Sequence, residues 1–253
     1  MGDAKSTLSA LLDEVKKKVE KREPHSKMKE YRRAQDEWIA NFAKQAESDE
    51  KPVHPLRLMK EVREYYPRDA IACIDGGNTA VWAYYMHRIY EPRCFIWAAD
   101  SGHLGVGLPY AIGAKLAAPD KQVYLITGDG AFGTTLQELE TASRLNLKIT
   151  VRVVNDGAWG MIKGAQKLSF GGRYIGVDFS DVRYDRVAQG MGWYGERVEN
   201  PEDIAPALER AEEAAQPALL DVVVSQEVHL TPPDLATLAM VWLEGCTPPE
   251  VEE

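Results

Sequence analysis

The sequence predicts an α/β protein of the three-layer, doubly wound type, in which helices cover both faces of a parallel sheet, with a helical arm before it and a tail after it. Three observations predict it. Apolar runs of strand length alternate with stretches of helix length from residue 54 to residue 225. The runs are continuously apolar, as in strands buried on both faces. Several of them end in turns rich in Gly, Asp and Asn, where a doubly wound sheet places its ligands.

The arm comprises residues 1–53. Leu8, Leu11, Leu12, Val15 and Val19 follow i, i+3, i+4 spacing behind a Ser6/Thr7 cap, so one amphipathic helix is expected, ending before Pro24. A second, from about Ser26 to Lys44, places Met28, Tyr31, Trp38 and Phe42 near one face. Two helices with no strand between them cannot enclose a core, so they are expected to dock on the main domain or on another chain. Residues 1–51 hold 12 Lys/Arg against 11 Asp/Glu and are nearly neutral. From Asp221 onward no Lys or Arg occurs, and Pro232, Pro233, Pro248 and Pro249 interrupt the chain. Residues 226–253 therefore read as an acidic tail with one short helix at Leu235–Leu243.

Between these ends, the helix at 55–66 opens on Pro55, a residue that suits a first turn. Strand 70–74 runs into Asp75-Gly76-Gly77-Asn78 and a short aromatic helix through Trp82, Tyr84 and Tyr85. Strand 94–98 leads to a glycine-rich stretch and helix 107–118. Strand 122–127 leads to Gly128-Asp129-Gly130-Ala131-Phe132-Gly133 and helix 134–145. Strand 149–154 ends at Asn155-Asp156-Gly157. Helix 183–191, strand 193–198, helix 201–215 and strand 218–224 complete the series.

Composition narrows the function. Of 253 residues, 45% are apolar and 27% charged, which suits a packed core and excludes general disorder or a disulfide mini-protein. No apolar run approaches the roughly 18 residues of a membrane span, and the N-terminal lysines follow the apolar residues, the wrong order for a secretory signal. Cys73, Cys94 and Cys246 match no metal spacing, and a reduced, cytoplasmic compartment is the simplest reading. A net charge of −9 without a basic aromatic stripe argues against nucleic acid.

Residues 128–133 satisfy GxGxxG after a strand, and Asp156 lies 23 positions beyond Gly133, so a dinucleotide site is one reading. An aspartate between the first two glycines, however, would face an anionic pyrophosphate unless a cation lay between them. No Lys-Ser/Thr follows, which excludes a Walker loop, and no Gly-x-Ser-x-Gly occurs, which removes a serine hydrolase. The alternative is a divalent metal of the Mg²⁺ type on Asp129 and a second ligand from Asn155-Asp156, with the diphosphate on the N–H groups of Gly130 and Ala131.

Here the residues resemble a known family. Gly128-Asp129-Gly130 with Asn155-Asp156 at the next strand end looks like the thiamine diphosphate motif. The wider match, over about residues 54–225, is to the diphosphate-binding domain of the acetolactate synthase, benzoylformate decarboxylase and 2-hydroxyacyl-CoA lyase group. Asp75-Gly76-Gly77-Asn78 resembles the group's first diphosphate loop, and Gly102-His103-Leu104-Gly105-Val106-Gly107-Leu108-Pro109 is similar to its G-x-M-G-x-G-L-P stretch. The resemblance implies thiamine diphosphate and Mg²⁺, with Asp129, Asp156 and the Ala158 carbonyl as metal ligands and Asn155 as the weaker candidate. Asp156 departs from the group's commoner Asn but still supplies a hard oxygen. Leu104 would lie under the thiazolium, Trp159, Gly160 and Met161 would line the cleft, and His103 could orient substrate or transfer a proton. His25 and His54 read as cap or surface residues and His87 as structural, while the resemblance places His229 in a tail that, in the group, can fold over the active site.

The resembled enzymes carry a pyrimidine-binding domain whose glutamate promotes ylide formation, and residues 1–53 resemble no such domain. The expectation is therefore one subunit of a hetero-oligomer, a heterotetramer, with a larger subunit bringing that domain. The favoured activity is a carbon–carbon lyase or carboligase acting on 2-hydroxyacyl-CoA, on the likeness of the GAWGMIK and HLTPP segments. The alternatives are a 2-oxo acid decarboxylase or acetolactate-type synthase, more distantly the β subunit of a 2-oxo acid:ferredoxin oxidoreductase, and, from another class, a non-catalytic cofactor-binding subunit.

Overall fold

The computed structural model describes residues 2–20, 25–98 and 102–233. The expected helix at Leu235–Leu243, Trp242 and Cys246 lie outside them. The chain divides after Phe42 into two compact units.

The first unit holds α1 (Ala4–Lys18) and α2 (Ser26–Ala40). Asp3, not Ser6 or Thr7, caps α1. Its carboxylate accepts from the Ser6 N–H at 2.8 Å, while the Thr7 hydroxyl donates to the Asp3 carbonyl from inside the first turn. Leu8, Leu11, Leu12, Val15 and Val19 are exposed. His25 caps α2 by accepting from the Lys27 N–H at 3.2 Å. The second helix is shorter than its periodicity suggests, because the chain turns at Asn41-Phe42, where Phe42 packs edge-on against Trp38 at 4.8 Å.

The second unit opens with α3 (Ala43–Ala46), whose neighbours Glu47 and Asp49 pair with Lys60 and Arg57 of α4 (Pro55–Tyr65). His54 caps α4, accepting from the Leu56 N–H at 3.1 Å. There follow β1 (Ile71–Asp75), α5 (Asn78–Met86), β2 (Phe95–Ile96), α6 (Gly107–Ala117), β3 (Val123–Gly128), α7 (Asp129–Thr135), α8 (Glu138–Arg144), β4 (Thr150–Asn155), α9 (Gly160–Ser169), α10 (Tyr184–Gly190), β5 (Tyr194–Val198), α11 (Ile204–Glu213), β6 (Ala218–Val223) and α12 (Gln226–His229).

The six strands form one all-parallel sheet in the order β2-β1-β3-β4-β6-β5. Both faces are buried. Ile71, Cys73, Val123, Leu125, Val151 and Val153 pack on one side with Leu108, Ala111, Leu139 and Trp193. Their alternates on the other side include Tyr124 and Arg152, and Arg152 is 0% exposed. The guanidinium of Arg152 lies over the Tyr66 ring at 4.6 Å, donates to the Tyr66 hydroxyl and sits 3.7 Å from Glu212. A buried guanidinium persists because each partner satisfies part of it.

In the second unit, several elements differ from the sequence expectation. The helix expected at 134–145 begins at Asp129, with Gly128 as its cap, and is broken into α7 and α8. The run at 94–98 pairs only through Phe95–Ile96, since β2 is an edge strand with β1 as its single neighbour. The helix α9 was not expected at all, because Gly160 and Gly164 depress its propensity.

Candidate functional site

The chain reverses direction across the sheet between β1 and β3: β2 lies on one side of β1, and β3 and β4 lie on the other. A doubly wound sheet opens a crevice beyond the carboxyl ends of its strands at that switch point. The crevice is present as a cavity of about 420 Å³. Of the residues expected to bind a cofactor, Gly76, Gly77, Asn78, His103, Leu104, Gly128, Gly130, Ala131, Ala158, Trp159, Gly160 and Met161 all line it, together with Asp129 and Asp156.

Asp75 ends β1. Its Oδ1 accepts from the Gly76 N–H and its Oδ2 from the Gly107 N–H, each at 2.7 Å, so one carboxylate ties the first glycine turn to the stretch carrying Leu104. His103 is exposed at the cavity rim. Asp129 starts α7 and is buried; its carboxylate accepts from its neighbour Gly130 at 2.7 Å and from Gly157, across the loop after β4, at 2.8 Å. The Gly130 N–H assigned to a diphosphate by sequence thus caps Asp129 itself. Trp159 lies so close that a Cβ on Gly130 would fall 2.6 Å from its ring. The Trp159 ring meets Phe179 edge-on at 5.2 Å, and backbone bonds from Trp159 to Val177 and from Phe179 to Gly157 pin the loop.

The two candidate ligands after β4 part company. Asn155 donates to Asp221 Oδ1 at 2.8 Å and does not line the cavity, so the weaker metal candidate is engaged on the far side of the strand end. Asp156, the next residue, faces the cavity near Asp129. Burial first, and then the neighbouring Asp156 carboxylate, hold the Asp129 carboxyl well above the ordinary carboxylate range.

Of the lining residues, Thr79 and Val81 were not singled out by sequence, and Trp97 and His229 were not expected to bind the cofactor. Trp97, which the sequence suggests as a packing or interface residue, reaches the cavity as well as the Tyr84 ring, 4.5 Å away. Thr79 follows Asn78 on α5, and His229 arrives from the end of α12. Neither of the latter sits in a recognisable motif, and the only signal for His229 was the expectation that the tail closes over a site. His87, by contrast, is structural: it packs beside Phe95 at 5.5 Å and contacts the Tyr124 hydroxyl at 3.3 Å.

A parallel sheet whose switch point carries a glycine-lined cavity and two adjoining buried carboxylates defines a cofactor-binding domain of the doubly wound class. The chain belongs to the family described as thiamine pyrophosphate enzyme, C-terminal TPP binding domain, which matches residues 75–222. The plain dinucleotide reading falls with that match. Among curated relatives, a probable acetolactate synthase of Mycobacterium bovis is 37% identical over 180 residues, covering 71% of this chain and 33% of the relative. An acetolactate synthase of Bacillus subtilis is 34% identical over 227 residues, covering 88% and 39%, and a probable acetolactate synthase large subunit of Methanococcus aeolicus is 29% identical over 248 residues, covering 92% and 41%. The chain therefore spans between a third and about two-fifths of these relatives' length.

Family membership implies thiamine diphosphate with a divalent metal such as Mg²⁺. The residues present fit both groups. Two adjacent buried carboxylates repel each other until a cation or a proton lies between them, and this repulsion adds to burial in raising Asp129. Asn78 Oδ1, buried beside the cavity, has no hydrogen-bond partner and is an acceptor that a metal-bound water would satisfy. Among the described residues, no helix is long and apolar enough to cross a membrane.

Proposed function

We propose that residues 43–233 supply the diphosphate- and metal-binding half of an enzyme that forms or breaks a carbon–carbon bond beside a carbonyl, and that its substrates are 2-oxo acids, as in acetolactate-type synthesis. The observation that carries this reading is the pairing of Asp129 and Asp156 across the switch-point cavity, a donor set suited to a hard divalent cation bridging carboxylates and phosphates. In this reading Asp129, Asp156 and the Ala158 carbonyl hold the metal, and the turns at Gly76-Gly77-Asn78 and Gly128–Ala131 receive the diphosphate. Leu104 supports the ring system, while Trp159, Gly160 and Met161 shape the cleft. When bound, thiamine diphosphate supplies a carbanion and an electron sink; the chain's own residues position it, exclude water and stabilise its charge.

The relatives' names favour 2-oxo acids over the 2-hydroxyacyl-CoA substrates expected from the tail and α9 segments. A pyrimidine-binding domain with its catalytic glutamate is assigned to a partner polypeptide. In support, no glutamate lines the cavity among the described residues. His103, exposed at the rim, is suited to meet substrate.

Calorimetry of thiamine diphosphate binding with Mg²⁺, on the wild-type chain and on Asp129→Ala, tests the site; binding by the first and none by the second is expected. Product analysis with pyruvate and with a 2-hydroxyacyl-CoA, after adding a pyrimidine-domain protein, tests the substrate. Aldehyde and formyl-CoA from the thioester, with no product from pyruvate, would restore the lyase reading. Full turnover by the chain alone would refute the partner.

A further inference from the structure

Residues 225–233 return across the carboxyl ends of the sheet and hold the loop after β4 at two places. The Gln226 side chain donates to the Asp156 carbonyl at 2.8 Å. Three residues on, the His229 ring, 3% exposed, places Nδ1 2.9 Å from Asp156 Oδ2 and Nε2 3.3 Å from Thr79 Oγ1. The His229 carbonyl accepts from Asn78 Nδ2 at 2.9 Å, so the same residue joins the Gly76-Gly77-Asn78 turn to the loop after β4.

The contact is built into the surrounding backbone. A Cβ on Gly160 would lie 2.7 Å from Asp156 Oδ2 and 3.1 Å from His229 Nδ1, so the first residue of α9 must lack a side chain for this carboxylate–imidazole pair to form. A carboxylate only accepts, which assigns a proton to Nδ1, while Nε2 meets the Thr79 hydroxyl. With Oδ2 committed to the imidazole, the Asp156 rotamer is fixed and its other oxygen remains for a cation.

We propose that His229 is a positioning residue for Asp156, and that metal and diphosphate binding at the switch point depends on the C-terminal segment through this one hydrogen bond. The inference rests on reading Asp129 and Asp156 as the metal site. Outer partners of ligating groups typically contribute about 10- to 100-fold to metal affinity.

The test is titration of the full chain with Mn²⁺ in the presence of thiamine diphosphate, following free Mn²⁺ by electron paramagnetic resonance, with circular dichroism as the check on folding. His229→Ala is expected to bind Mn²⁺ about 10- to 100-fold more weakly than wild type. His229→Asn places an amide N–H where Nδ1 stood and is expected to stay within a few-fold of wild type. His229→Gln extends to the Nε2 position instead and is expected to resemble the alanine variant. That Asn/Gln contrast decides the matter even if His229→Ala does not fold. In an Asp156→Ala background, His229→Ala should add nothing. Equal affinities for wild type and His229→Ala, equal weakness of the Asn and Gln variants, or additive losses in the double variant would each overturn the proposal. Failure of the wild-type chain to bind Mn²⁺ with thiamine diphosphate would instead overturn the metal-site reading beneath it.

Discussion

Gly130→Ala should destabilise the protein in one background and stabilise it in another. Gly130 lies in the first turn of α7, where its backbone is helical, so alanine would ordinarily gain about 1 kcal/mol from lower unfolded-chain entropy and better helix propensity. Here the new methyl meets the Trp159 ring at 2.6 and 2.7 Å, nearly 1 Å inside normal carbon–carbon contact of about 3.5 Å. Trp159 cannot retreat freely, because Phe179 backs its ring and the loop is pinned to Val177. Overpacking of this kind costs about 1–3 kcal/mol, which exceeds or cancels the propensity gain. The expected net effect is therefore a loss of up to about 2 kcal/mol in the wild-type background and a gain of about 1 kcal/mol when Trp159 is already alanine. Urea denaturation of the four proteins measures both differences, with unchanged m-values confirming that stability alone has moved. If Gly130→Ala has the same sign and size with and without the indole, the ring is not what demands glycine, and the steric account of this turn fails.

Two further predictions address charge. In EDTA, Asp129 makes the fold less stable as pH rises, because a carboxyl whose folded value is raised contributes stability that is complete below the ordinary carboxylate range and is lost as pH climbs through the raised value. Burial pushes His87 down to about 4, an opposite slope that runs from pH 6.5 downward, so the informative quantity is the difference between wild type and Asp129→Asn. Thermal melts from pH 4 to 9 should show a wild-type slope more negative by up to about 1.4 kcal/mol per unit, abolished by Mg²⁺ with thiamine diphosphate; parallel curves would refute it. Separately, Glu212→Gln keeps a hydrogen-bonding side chain beside Tyr66 and Thr150 but removes the anion 3.7 Å from Arg152. Leaving that guanidinium unpaired should cost about 3–5 kcal/mol in urea, and a change under about 0.5 kcal/mol would show that the tyrosines suffice.

The strands were legible because burial on both faces demands continuous apolar runs, and the caps at His25 and His54 because a side chain before a helix start has few other uses. The start of α7 was not. Asp129-Gly130 has the composition of a turn, yet it forms a helical first turn because Trp159 and Gly157 act on it from a distant loop. In α9 the glycines that lower local propensity are the ones that let Gly160 approach Asp156 and Gly164 approach Leu230. The Asn155-Asp156 ambiguity could not be settled by residue chemistry, since both supply oxygen; the end of β4 settles it by sending one side chain to Asp221 and the next to the cavity. His229 was beyond reach of any local pattern, being one histidine in a proline-bearing tail that only the fold brings to Asp156.

The hydrogen bonds of His229 span 73, 150 and 151 residues of chain. Contacts that close such loops pay their entropy before they return any stabilisation, and the β4–β6 pairing of Thr150 with Ala218 closes a loop of similar length. On a translating ribosome, the carboxylates of β3 and β4 are present many residues before α12 has emerged to fix one of them. The last strand, β6, emerges directly before α12, so the sheet and the site are completed together, and amide exchange in the short α12 should still be faster than in β1, β3 and β4.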